Sequence, residues 1–181
     1  RVHFTFLFLI AWVGISYWVQ EQSPASALSG IAFILVLFVC VVLHEYGHAL
    51  AARRFGIKTK DITLLPIGGV ARLERMPEDP KQELWITLAG PAVNLVIALA
   101  IFLYLQLSGT FEPLSALSLP HGSFAERVMM ANVFLLLFNM IPAFPMDGGR
   151  VLRALLATRM AYVNATQAAA RLGADLALGT W

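Results

Sequence analysis

Long apolar runs separated by short polar stretches dominate this chain. Phe4 to Val19 is apolar between Arg1 and Glu21, and a second run begins near Gly30 and continues past Val42. A third covers Leu84 to Leu107 and a fourth Val128 to Phe144. A helix needs about 20 apolar residues to cross ~30 Å of hydrocarbon, so these runs predict four transmembrane helices, the first slightly short. A competing reading of the first run is a secretory signal, because Ala25-Ser26-Ala27 resembles a small-residue cleavage site. The run is long for a signal core, which favours a retained helix that starts in the cytoplasm. Between the second and third runs, Ile57 to Leu65 and Val70 to Arg75 alternate weakly around Pro66-Ile67-Gly68-Gly69, a pattern that predicts a hairpin. Residues 161–178 are rich in Ala and Leu, with Arg171 and Asp175 one turn apart, and predict a partial C-terminal helix. The expected class is an all-α polytopic membrane protein with at least four transmembrane helices. It carries a small membrane-associated β-hairpin after the second helix and a partial helix at its end.

Composition agrees with the pattern. Of 181 residues, 59% are hydrophobic and 13% charged, where a soluble domain carries about 25% charged residues. The formal net charge of +2 is too small to point to nucleic acid, and a single cysteine excludes an internal disulfide framework. Seven of the thirteen Lys and Arg residues lie between Arg53 and Lys81. The positive-inside rule places that loop in the cytoplasm, together with the Arg-containing stretch after Asp147. No internal repeat or linker is evident, so one domain over 1–181 is expected.

The second run ends in chemistry. His44-Glu45-Tyr46-Gly47-His48 reads H-E-x-x-H. Residues four apart on a helix differ by roughly 40° around its axis, so both imidazoles project from one face and can bind one metal ion. Glu45 is placed to handle the proton of a water there. Ionisable groups within an apolar helix are costly and mark function by default. A catalytic zinc takes three protein ligands, so one is lacking. His3 and His121 sit at the wrong ends of their segments, and Glu74, Glu78 and Asp79 belong to a charged loop. Asp147 follows an apolar stretch broken by Pro142 and Pro145 and precedes Gly148-Gly149. Counted from Gly30 and Val128, His44 and Pro142 both lie ~21 Å into their helices, so Asp147 is favoured as third ligand over a simple helix N-cap. Cys40 shares the face of His44 but reads better as a packing residue than as a fourth ligand, which would close the site. Gly90 and Asn94 in Gly90-Pro91-Ala92-Val93-Asn94 read equally well as helix-packing residues. The hairpin reads as an ordinary surface feature or as an edge that pairs with an extended chain.

These motifs resemble the site-2 protease family of intramembrane zinc metalloproteases, in its compact prokaryotic form. The match rests on His44-Glu45-Tyr46-Gly47-His48, Gly90-Pro91-x-x-Asn94, Asn139-x-x-Pro142-x-x-Pro145-Met146-Asp147-Gly148 and the Gly68-Gly69 hairpin, and spans about residues 30–155. The resemblance implies that His44, His48 and Asp147 bind Zn²⁺ and that Glu45 is the general base for a metal-activated water. It also implies that Asn94, Asn139, Gly68 and Gly69 help hold an unwound substrate. The substrate would be a transmembrane protein, cut within or next to its helix in a prokaryotic inner membrane, with the site near the cytoplasmic face. The loop from Ser108 to Arg127 is too short for the PDZ insertion of some members, and the last helices of the usual core are incomplete. A different function class with the same ligands is a metal transporter or sensor. Glu45 beside the first histidine and the Pro-Gly break favour the enzyme.

Overall fold

The computed structural model describes residues 5–65, 68–74, 77, 79–111 and 122–178. Pro66, Ile67, His3, Glu78 and His121 fall outside them. In chain order the elements are α1 (Thr5–Glu21), α2 (Pro24–Arg54), β1 (Thr59–Leu65), β2 (Gly68–Leu73), α3 (Pro80–Ser108), α4 (Phe124–Asn139), α5 (Asp147–Ala157) and α6 (Tyr162–Leu178). Among the described residues, α2 and α3 are long and apolar enough to cross a membrane, and Leu7–Val19 of α1 is a shorter apolar helix. The helix α4, with 16 residues, is shorter than a full span as well.

Helices α2, α3 and α4 start earlier than the apolar runs suggest, because proline and capping residues at their first turns extend them. Pro24 takes the first position of α2, where a missing N–H costs nothing. Asp79 caps α3 by accepting from the Lys81 amide at 2.9 Å. Ser123 and Glu126 form a reciprocal capping box at the start of α4. His44 therefore lies about twenty residues into α2, or ~30 Å, so the equal depths counted from Gly30 and Val128 do not hold as counted. The fourth helix also stops at Asn139 and does not run on to Phe144.

The two strands pair antiparallel, with Leu65 opposite Gly68, Leu64 opposite Gly69 and Thr59 opposite Leu73, and an irregularity between Thr59 and Asp61. Gly68 and Gly69 thus belong to β2 and are not the turn between the strands. Both strands lie against α2.

The interior of the bundle combines small apolar clusters with buried polar groups. Helix α2 packs against α1, α3 and α4, while α5 joins α3 to α6. Glu126, Asn94, Asn132 and Thr87 are among the largest fully buried side chains, and Ile57 is the apolar member of that set. Large apolar residues face outward instead: Trp12 is 73% exposed, Trp85 70% and Leu107 89%. In hydrocarbon the apolar exterior is solvated and each polar group must find its partner within the protein, so this inversion is what a lipid surround selects. Asn132 illustrates it, donating to the Val128 carbonyl at 2.9 Å and to Cys40 Sγ at 3.4 Å. Arg127 lies over the rings of Phe33 and Phe124, 4.7 and 5.9 Å from their centroids, which lowers the cost of a cation at the start of α4.

Helices α2 and α3 touch through backbone. A Cβ at Gly47 would stand 2.7 Å from the Ala89 carbonyl oxygen and 2.8 Å from Val93 Cγ2. Gly47→Val should therefore force α2 and α3 apart and destabilise the protein by about 1–3 kcal/mol, the range for overpacking a tight contact. Thermal unfolding of the purified variant in detergent tests this, and an unchanged midpoint would show that the two helices are not tightly joined here.

Candidate metal centre

The helix α2 brings His44 and His48 to one face, and α5 delivers Asp147 from its first residue. Nε2 of His44 and Nε2 of His48 are 3.1 Å apart, and Asp147 Oδ2 lies 3.1 Å from each. All three residues are buried. Ligands 2.0–2.1 Å from a tetrahedral zinc are ~3.3 Å from one another, so this triangle has nearly the size such an ion requires.

Three further features fit a cation. Nδ1 of His48 donates to the Ile86 carbonyl at 2.8 Å, which fixes the tautomer whose Nε2 lone pair points into the triangle. The Asn94 amide stands 3.3 Å from His44 Nδ1, and its Oδ1 is buried without a hydrogen-bond partner. Turning that amide by 180° sets Oδ1 against His44 Nδ1–H, satisfies the orphan oxygen and frees Nε2 of His44 as a ligand. Finally, a Cβ at Gly90 would collide with the His48 ring and stand 2.8 Å from His44 Nε2, so glycine leaves the room that the imidazoles occupy.

Comparison with known proteins identifies the family. The profile of Peptidase family M50 matches residues 32–126 and 112–179. The chain belongs to Peptidase family M50. It is 41% identical over 179 residues to the zinc metalloprotease MJ0392 of Methanocaldococcus jannaschii, covering 98% of this chain and 48% of that protein. It is 42% identical over 127 residues to the putative zinc metalloprotease sll0528 of Synechocystis, covering 70% of this chain and 32% of the relative. The solved site-2 protease from Methanocaldococcus jannaschii superposes with a TM-score of 0.66 at 38% identity, over 98% of this chain and 76% of that structure. This M50 chain thus spans about half or less of the length of these two curated relatives.

The remaining singled-out residues of this M50 chain lie in different places. Glu45 is buried in the same turn as His44. Asn94 is 1% exposed and faces His44. Asn139 ends α4 and donates to the Leu135 carbonyl at 2.9 Å. Gly68 and Gly69 open β2. The N-cap of α5 is Met146, which leaves the Asp147 carboxylate to the histidines. Cys40 stays with Asn132, and the group able to hold a metal among the described residues is His44, His48 and Asp147.

Two features escaped the sequence. Arg153, read there with the basic residues after Asp147, is buried and bonded to Glu83 on α3. The Ile86 carbonyl carries no side-chain signal and could not have been found from residue types. Asn94→Leu should lower zinc affinity about 10–100-fold, as loss of a ligand's hydrogen-bond partner does. A competition titration with a chromophoric chelator measures it, and wild-type affinity would remove Asn94 from the centre.

Proposed function

We propose that this chain is an intramembrane zinc metalloprotease acting on a peptide bond within or next to a transmembrane helix of a membrane-protein substrate. The observation that carries this reading is the triangle of two Nε2 atoms and one carboxylate oxygen, each 3.1 Å from the others, with Glu45 in the same turn of α2. His44, His48 and Asp147 hold the zinc. When bound, zinc supplies Lewis acidity that polarises a peptide carbonyl and makes water more acidic. Glu45 takes the proton of the attacking water on its carboxylate and returns it to the nitrogen of the leaving amine, so one O–H and one C–N bond break while C–O and N–H bonds form.

The chain's other residues serve orientation. Asn94 holds the His44 ring and would help position an unwound substrate beside it. The two-stranded hairpin leaves its outer strand edges without strand partners among the described residues, and such an edge suits an extended peptide whose helix has unwound. Gly68 and Gly69, with no side chains, would let that backbone come close. Asn139 sits at the end of α4 beside the proline break and would reach substrate by releasing the Leu135 carbonyl.

We take residues 1–181 as one transmembrane unit in which α1 to α4 all cross, the shorter α1 and α4 with help from thinning or flanking residues. The basic loop after α2 lies in the cytoplasm, and the centre is close to that face, where water can reach it. The relatives from an archaeon and a cyanobacterium favour a prokaryotic cell membrane.

Glu45→Gln should keep stoichiometric zinc yet lower cleavage about 10²–10⁴-fold, the usual worth of a positioned acid–base group. Asp147→Ala should lose zinc affinity itself. Metal analysis and cleavage of co-reconstituted single-span membrane proteins, run on the same samples, test both. Full activity in Glu45→Gln would refute the mechanism.

A further inference from the structure

The proline-broken segment between α4 and α5 leaves open what holds Asp147 at the histidines. Six residues beyond it, or ~9 Å along α5, stands Arg153. Its Nε donates to Glu83 Oε1 at 2.9 Å, and its Nη2 contacts the same oxygen. Both residues are buried, Glu83 to 2% and Arg153 to 8% exposure. The guanidinium also faces two rings, 5.5 Å from the Phe144 centroid and 5.1 Å from that of Tyr162. Phe144 lies three residues before Asp147 and Tyr162 opens α6, so one side chain clamps both flanks of α5.

We propose that Glu83 and Arg153 are positioning residues that hold Asp147 in the metal triangle. Glu83 sits one turn before Ile86 on α3, and the Ile86 carbonyl orients His48. The ion pair therefore ties the element bearing the third ligand to the same stretch of helix that aims the second. Stability is a poor reason for the pair. Desolvating two charges commonly cancels their attraction, and an apolar pair of equal volume often does as well. Here Glu83 Oε2 is buried without a hydrogen-bond partner, so part of that desolvation is not recovered. Register is the better reason: Nε and Nη2 both reach one buried carboxylate oxygen, and a slide of α5 along α3 would break that contact. Asp147 moves with α5.

This proposal rests on the reading that His44, His48 and Asp147 bind zinc. Its test is zinc affinity of the full chain in detergent, by chelator competition, with the absorption spectrum of the Co²⁺-loaded protein as a second readout. Glu83→Gln and Arg153→Lys should each bind zinc about 10–100-fold more weakly. Their Co²⁺ spectra should move toward that of Asp147→Asn. In an Asp147→Asn background, Glu83→Gln should change affinity by no more than about twofold, because the group it positions is already altered. Wild-type affinity in Arg153→Lys or Glu83→Gln overturns the proposal. An equal loss with and without Asp147→Asn overturns it too, since the pair would then support the fold at large. If Glu83→Gln fails to fold, Arg153→Lys decides by the same titration. A wild-type chain that binds no zinc refutes the metal centre and the proposal together. Tight zinc binding without cleavage refutes proteolysis alone, and the affinities of the variants still decide the role of the pair.

Discussion

Two imidazole nitrogens and a carboxylate oxygen lie 3.1 Å from one another in a buried site, close to the spacing that ligands of one tetrahedral zinc ion would have. Bringing those three donors together is the constraint around which the rest of the structure is arranged. It explains why His48 donates its Nδ1–H to a backbone carbonyl, why an asparagine lies behind His44, and why Gly90 has no side chain. Each feature costs something alone. A glycine within a long helix and a buried carboxylate both lower stability unless other contacts compensate. Together they describe a site shaped to hold a metal, whose binding free energy would add to that of folding.

The inverted distribution of polar groups follows from the same physics. An apolar exterior drives no helix association in lipid, so contact between helices depends on close backbone approach and internal polar bonds. Gly47 against the Ala89 carbonyl supplies the first, and Asn132, Asn94 and the Glu83–Arg153 pair supply the second. Asn94 thus contributes both to the contact between α2 and α3 and to the surroundings of the metal triangle.

How much of this was legible in the residues depended on the range of the signal. The histidine spacing in α2 is a local property of a helix, and His44-Glu45-x-x-His48 could be read directly. Asp147 could be singled out because a carboxylate after an apolar run is rare, although the depth count used for it began both helices too late. The missing information was present in the caps: Pro24, Asp79-Pro80 and the Ser123–Glu126 box mark starts that hydropathy alone does not see. The glycines of Gly68-Gly69 suggested a turn, but register places them in β2, where they pair with Leu65 and Leu64. Arg153 looked like one of several cytoplasmic arginines because its partner lies seventy positions earlier, and no local pattern reports such a contact. Of the four runs expected to cross, α2 and α3 are long and apolar enough to do so, and α1 and α4 are shorter helices.

The central claim is that His44, His48 and Asp147 bind one zinc ion together. X-ray absorption at the zinc edge of the purified, zinc-loaded chain tests it most directly. The account predicts one zinc per chain, a shell of nitrogen and oxygen scatterers at about 2.0–2.1 Å with the outer-ring signature of two imidazoles, and no sulfur. A sulfur scatterer near 2.3 Å would place Cys40 in the centre and contradict the three-ligand site. Imidazole signal unchanged in His44→Ala would contradict it as well.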